Sequence, residues 1–86
     1  MYSFEIKEGL EKSLRKLAGK DKRHYQTVVK KILQIAENPT IGKPLRNVLK
    51  GKRRVHIGHF VLVYEVNEEK KMISFLDFEH HDDAYK

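Results

Sequence analysis

The stretch KRRVHIGHFVLVYEV, residues 52–66, contains the pattern on which the fold prediction rests. Within its first six residues, Val55 and Ile57 alternate with Arg54 and His56, which lie together on the polar face, and this indicates a half-buried strand over 52–57. A tight turn at Gly58-His59 follows. The apolar run at 60–64 does not alternate, so we expect a central strand that is covered on both faces.

The remaining elements follow from the same kind of apolar periodicity. Alternation at the start of the chain indicates a strand, and a repeat of three to four residues then indicates two amphipathic helices. In chain order, the pattern predicts a strand over 2–6, a helix over 8–18, a second helix capped by Asp21 and ended by Asn38-Pro39, a surface loop over 39–51, the two strands described above, a strand over 72–78 and a polar tail over 79–86.

This order predicts one α+β domain spanning residues 1–86, because 86 residues suffice for a single modest core. We expect a β-α-α-β-β-β arrangement in which a helical hairpin packs on one face of a mostly antiparallel four-stranded sheet. The other face of the sheet should then present Arg54 and His56.

Composition excludes several classes of protein. The chain has no Cys, which excludes disulfide scaffolds, thiolate metal sites and Cys nucleophiles. No apolar run approaches the ~20 residues that a membrane span needs, and the start of the chain does not resemble a secretory leader. We therefore expect a soluble cytoplasmic protein that makes no membrane contact.

The net charge of +6 is concentrated in one segment. Between residues 43 and 54 there are six basic side chains and no acidic one: Lys43, Arg46, Lys50, Lys52, Arg53 and Arg54. Such a surface can be merely solvated, can bind phosphate groups, or can support chemistry on RNA. Arg54 can stabilise a charged phosphate and His56 can transfer protons near neutral pH, so all three interpretations stay open.

The sequence HHDDAY at residues 80–85 is a second candidate segment, because it combines proton carriers with an aromatic ring at the end of a strand. A structural histidine within a solvated tail is the alternative. We expect no metal site, since consecutive residues point in different directions and no helical His pair is spaced for zinc. Tyr64 is expected in the core, and His24 on the surface.

Three segments together resemble the RelE/ParE superfamily of toxins from toxin–antitoxin systems. They are residues 49–66, with their strand, Ile-Gly turn and aromatic-aliphatic-Tyr strand, the Gly-Lys-Pro-Leu at 42–45, and the tail at 80–86. The resemblance extends over the element order of the whole chain and implies a RelE-like fold.

Members of the RelE branch are ribosome-dependent mRNA endonucleases that use attack of the 2′-hydroxyl on the adjacent phosphodiester, without metal or other cofactor. The resemblance therefore implies that Arg54 clamps the phosphate, while His81 or Tyr85 acts as general acid or base with His56 as its partner. The RNA would contact Lys43, Arg46, Lys50, Lys52, Arg53 and His80. The chain departs from the branch at two positions, because Val61 and His81 stand where an Arg is usual.

Two alternatives follow from the same resemblance. Members of the ParE branch share the fold and inhibit DNA gyrase without a nuclease site, and a catalytically impaired RNA-binding relic is also compatible with the departures. Any active toxin of this superfamily implies an acidic antitoxin as partner, beside the ribosome and mRNA. We expect a monomer or a small toxin–antitoxin assembly.

Overall fold

A computed structural model describes residues 1–46 and 51–80 of the chain. Two helices pack on one face of a five-stranded sheet. The elements are β1 (Ser3–Ile6), α1 (Glu8–Lys20), α2 (Lys22–Glu37), a 3₁₀ helix (Pro39–Ile41), β2 (Lys43–Pro44), β3 (Lys52–Ile57), β4 (Phe60–Asn67) and β5 (Met72–His80). The predicted α+β class and the predicted element order are confirmed.

The strands lie in the order β1-β5-β4-β3-β2. β1 runs parallel to β5, and every other neighbouring pair is antiparallel. The sheet has one strand more than predicted, because β2 forms inside the segment expected as a loop. Two residues are too few to show an alternating pattern, and Pro44 is tolerated there because β2 is an edge strand.

One residue ends α1 and begins α2. Asp21 has an extended backbone with φ −146°, and its backbone N–H donates to the Leu17 carbonyl at 2.8 Å. Its side chain accepts a hydrogen bond from the backbone N–H of His24 at 3.1 Å, which confirms Asp21 as the N-cap of α2. The helix α1 continues to Lys20, through Gly19, because nothing before Asp21 interrupts the backbone hydrogen bonds.

The core lies between the helices and the sheet. Each of its side chains contributes of the order of 1.5–3 kcal/mol through burial. Its members are Leu10, Leu14, Val28, Ile32, Ile35, Ile57, Leu62, Tyr64, Ile73 and Phe75. Tyr64 is fully buried, as expected. Both helices pack on the same face of the sheet.

The central strand β4 is covered on both faces, as predicted. Val61 is 1% exposed and Leu62 is fully buried, although their side chains leave the sheet on opposite sides. A bulge then interrupts the β4–β5 ladder, since Val63 lies opposite Asp77 and Tyr64 lies opposite Phe75. The extra residue on β5 is Leu76, and it exchanges the faces of the sheet to which the following β5 side chains point.

No helix in the described part of the chain is both long enough and apolar enough to cross a bilayer.

Candidate functional site

The candidate site is the group of cations on β2 and β3, and it lies on the face of the sheet on which the helices do not pack, which we call the open face. On β3, Val55 and Ile57 point toward the core, so the residues that alternate with them point the other way. Strand pairing extends this assignment across the sheet. The open face includes Lys43 on β2, Lys52, Arg54 and His56 on β3, Val61, Val63 and Glu65 on β4, Ser74, Asp77 and Glu79 on β5, and Glu5 on β1.

The register arranges these side chains in three rows across the strands. Directly opposed residues of neighbouring strands have their Cβ atoms about 4.5–5.5 Å apart on the same face. The rows are Lys43–Arg54–Val63–Asp77, His56–Val61–Glu79 and Lys52–Glu65–Ser74–Glu5. The last row is closed by a hydrogen bond of 2.7 Å from the Ser74 hydroxyl to Glu5 Oε1.

The open face is divided by charge. Its cations lie on β2 and β3, whereas its carboxylates lie on the other three strands, at Glu65 on β4, at the exposed Asp77 and Glu79 on β5, and at Glu5 on β1. The sequence prediction assigned only the cations and missed Asp77 and Glu79. The alternation of Asp77 and Glu79 with the apolar Phe78 indicates that the two acids share one face of β5. Their position across β4 from the cations of β3 depends on the strand register and on the bulge.

Two of the predicted catalytic residues lie together on the open face. Arg54 and His56 are two residues apart on β3, where Arg54 is half-buried with its Nε atom buried, and His56 is exposed. Lys43 lies directly opposite Arg54 on β2. With Lys52 further along β3, this group can bind an anionic group and exchange protons with it.

Val61 and Val63 form an apolar floor between the cationic and the acidic strands. Val61 lies between His56 and Glu79, and Val63 lies between Arg54 and Asp77. Val61 is 1% exposed, whereas Val63 is half-buried. Val61 is thus enclosed by its surroundings, and only the part of the floor at Val63 is accessible to a bound group.

Arg53 is separated from the other predicted cations, because its side chain points to the helix-covered face. Its Nη1 donates to the Gly42 carbonyl at 2.7 Å, beside Tyr64. The Tyr64 hydroxyl donates to the Pro39 carbonyl at 2.5 Å and accepts from the Gly42 N–H at 2.9 Å. These three bonds anchor the segment that leads into Lys43, so Arg53 has a structural role here.

Tyr64 requires a glycine at position 42. A Cβ at this position would overlap the Tyr64 hydroxyl and lie 2.8 Å from two ring atoms. Burial raises the pKa of the Tyr64 hydroxyl above its ordinary value, although the hydrogen bond from Gly42 and the nearby charge of Arg53 act in the opposite direction.

His80 also lies away from Arg54 and His56, because it pairs with Phe60 on the helix-covered side of the sheet. Its ring contacts Phe60 edge-on at 5.6 Å between centroids and stacks on His59 at 6.2 Å. The sheet therefore does not bring His80 beside the predicted phosphate-binding residues.

The expectation that His24 is a surface residue is wrong. His24 is half-buried, and its ring centroid lies 5.2 Å from that of Phe60 and 5.9 Å from that of Phe78. The pattern was present in the sequence, because His24 continues the apolar stripe of α2 one turn before Val28.

Three predicted site residues, Lys50, His81 and Tyr85, lie outside the described residues. Arg46 is exposed at the end of the first described range. Within residues 1–46 and 51–80, no three side chains of His, Cys, Asp or Glu are grouped so that they could hold a metal ion.

Sequence comparison assigns the family. The sequence model of the ParE toxin of type II toxin–antitoxin systems, parDE, matches residues 4–85. The chain belongs to this toxin family. A toxin candidate named RelE4 from Methanocaldococcus jannaschii is 45% identical over 87 aligned positions, which cover 100% of this chain and 93% of the relative.

Solved structures agree with this assignment. A chain of the RelBE2 toxin–antitoxin complex from Mycobacterium tuberculosis is 26% identical and superposes with a TM-score of 0.79, covering 92% of this chain and 96% of that chain. The YoeB/ParE toxin from Agrobacterium tumefaciens has a TM-score of 0.83 at 15% identity, covering 92% of this chain and 98% of that chain, and shows the shared fold alone. The resemblance to the RelE/ParE superfamily is thereby confirmed, and this chain is a toxin of a toxin–antitoxin system.

Proposed function

We propose that this toxin is a RelE-like, ribosome-dependent mRNA endonuclease that acts in the cytoplasm without a metal cofactor. The observation that carries the proposal is that Arg54 and His56 lie together on the open face, with Lys43 directly opposite Arg54. The family assignment and the relative named RelE4 support it.

The chemistry needs a cation at the phosphate and groups that move two protons. Attack of the 2′-hydroxyl on the adjacent phosphorus places extra negative charge on the phosphate oxygens, which the Arg54 guanidinium can stabilise by hydrogen bonds. His56 can donate a proton to the leaving 5′-oxygen. Lys43 and Lys52 attract the RNA backbone, and His81 and Tyr85 remain candidates for proton transfer by resemblance.

The direct test is cleavage of a defined mRNA on purified ribosomes, with the cut mapped by primer extension. Arg54→Ala should slow cleavage by about 10²–10³-fold, because it removes a preorganised cation from the transition state. Arg15→Ala is the matched control, since Arg15 is an exposed arginine on α1 that pairs with Glu11 at 3.1 Å. Parental rates for the double variant His56→Ala, His81→Ala would contradict the proton-transfer assignment.

A ParE-like action on DNA gyrase is the second candidate. The family model that matches is that of ParE, and Val61 occupies the position where the nuclease branch usually has Arg. Inhibition of supercoiling by the purified chain, with no effect on translation, would favour this function. Salt-sensitive RNA binding without cleavage would instead indicate an impaired relic.

We also propose that an acidic antitoxin binds this chain. Several structurally similar proteins are seen in complex with an antitoxin, among them RelE of Pyrococcus horikoshii bound to RelB. The cations of β2 and β3 supply complementary charge and predict association that slows as salt concentration rises. A small acidic reading frame next to this one would support the proposal.

A further inference from the structure

The row His56–Val61–Glu79 places an imidazole and a carboxylate on either side of an apolar position. Val61 lies opposite His56 on β3 and opposite Glu79 on β5. His56 and Glu79 are both exposed, so a bound molecule can reach both, and Val61 is 1% exposed between them. Glu79 was assigned no role from the sequence.

The separation of the two side chains suits a reaction at phosphorus. Neighbouring strands lie about 4.8 Å apart, so β3 and β5, on either side of β4, are about 9.6 Å apart. A base and an acid that act at opposite ends of an in-line displacement are separated by two hydrogen bonds and the O–P–O axis, roughly 10 Å in all. A phosphodiester that spans the exposed side chains of His56 and Glu79 can therefore contact both residues without touching Val61, which is 1% exposed.

The neighbouring row supplies the charge that such a phosphate needs. Arg54 lies next to His56 on the same face of β3, with Lys43 opposite it. Glu79 is held in place by the residue before it, since the ring of Phe78 stacks on that of Phe60 at 4.9 Å between centroids. The backbone of Glu79 is thus anchored on the opposite face of the sheet while its side chain projects from the open face.

We propose that Glu79 is the general base of the cleavage reaction and that His56 is its general acid, an inference that rests on the proposed endonuclease function. Glu79 removes the proton of the 2′-hydroxyl, the 2′-oxygen bonds to phosphorus, the bond from phosphorus to the 5′-oxygen breaks, and the 5′-oxygen takes a proton from His56. The products are a 2′,3′-cyclic phosphate and a 5′-hydroxyl, and solvent restores the protonation of both side chains.

Asp77 is the less suitable carboxylate. It lies opposite Val63 in the row of Arg54, so the nearest group across the floor is the guanidinium and not the imidazole. Glu79 instead lies in the row of the imidazole, one row away from the guanidinium.

The experiment is single-turnover cleavage of ribosome-bound mRNA at saturating toxin, over a range of pH, for the parent chain and for Glu79→Gln, Glu79→Asp and Glu65→Gln. Glu65→Gln is the control, because it removes the same charge from the open face two rows away. We expect Glu79→Gln to lower the maximal rate at least about 100-fold and to abolish the acidic limb of the pH–rate profile. Glu79→Asp should recover part of the rate and the limb, and Glu65→Gln should keep both.

The inference alone is overturned if the parent cleaves and Glu79→Gln stays within threefold of its rate with the same pH profile. It is also overturned if Glu65→Gln loses as much rate as Glu79→Gln, since the effect would then be one of charge. A parent chain that does not cleave mRNA overturns the proposed function and this assignment together. Circular dichroism spectra of all variants distinguish loss of the base from loss of the fold.

Discussion

Replacing Tyr64 by Phe tests how strongly the Tyr64 hydroxyl anchors the segment 39–42 to the sheet. The Tyr64 hydroxyl is buried and makes two hydrogen bonds, one to the Pro39 carbonyl and one from the Gly42 N–H. Tyr64→Phe keeps the ring in the core and leaves both backbone groups without this partner. The segment concerned leads directly into Lys43.

The expected loss follows from the two groups left behind. A buried donor or acceptor without its partner costs about 1–3 kcal/mol, so the two groups together should lower the free energy of unfolding by about 2–6 kcal/mol. For a domain of this size that corresponds to a melting temperature lower by at least roughly 8 °C. Tyr2→Phe is the control, because the Tyr2 hydroxyl donates to Glu68 at 2.9 Å on the surface, where the loss should be about 1 kcal/mol or less.

The pH dependence gives an independent readout. The pKa of Tyr64 is raised in the folded state, whereas a tyrosine in the unfolded chain ionises near the ordinary pKa of about 10. Above that pH the unfolded state binds fewer protons than the folded state, so stability falls as pH rises. Tyr64→Phe should remove this part of the alkaline destabilisation.

Urea unfolding followed by far-UV circular dichroism, at pH 7 and from pH 9 to 11, measures both effects. The midpoint should fall with the slope of the transition unchanged. Equal losses for Tyr64→Phe and Tyr2→Phe, or parallel alkaline slopes for the parent and Tyr64→Phe, would refute the reasoning.

Three further substitutions test local features, each by urea unfolding. Gly58→Ala should cost about 1–2 kcal/mol, because Gly58 has φ +64°, and a cost below that of Ala at the exposed helical Gly9 would contradict this. Asp21→Ala should cost about 1 kcal/mol through loss of the α2 N-cap, and Asp21→Asn should retain most of the stability. His24→Ala should cost about 0.5–1.5 kcal/mol through the lost contact with Phe60. An unchanged midpoint of the urea transition would show that this contact contributes nothing to stability.

Much of the fold was predictable because it depends on local periodicity. The apolar stripes of both helices, the cap at Asp21 and the alternation that places Arg54 beside His56 are properties of neighbouring residues. The short strand β2 was missed because its existence depends on pairing with Arg53 and Arg54. Such a partner is not visible in the segment itself.

The site was predictable only in part. Six unbalanced cations in the segment ending at Arg54 drew attention to β3, yet Arg53 bonds to the Gly42 carbonyl and His80 lies against Phe60. A side chain in an alternating strand has a local direction, but whether that direction faces a helix or solvent depends on the layer that packs on the sheet. The prediction from sequence charge therefore placed more residues on the open face than the structure does, since Arg53 and His80 lie on the other face.

The sequence by itself determined every element except β2 and the 3₁₀ helix, the cationic strand and the toxin family, because each of these depends on residue types at fixed spacing. Only the tertiary structure decided that Glu79 and Asp77 lie across the floor from His56 and Arg54. The physical reason is that cross-strand neighbours are selected by hydrogen-bond register, and one extra residue at the bulge reverses which side chains reach a given face.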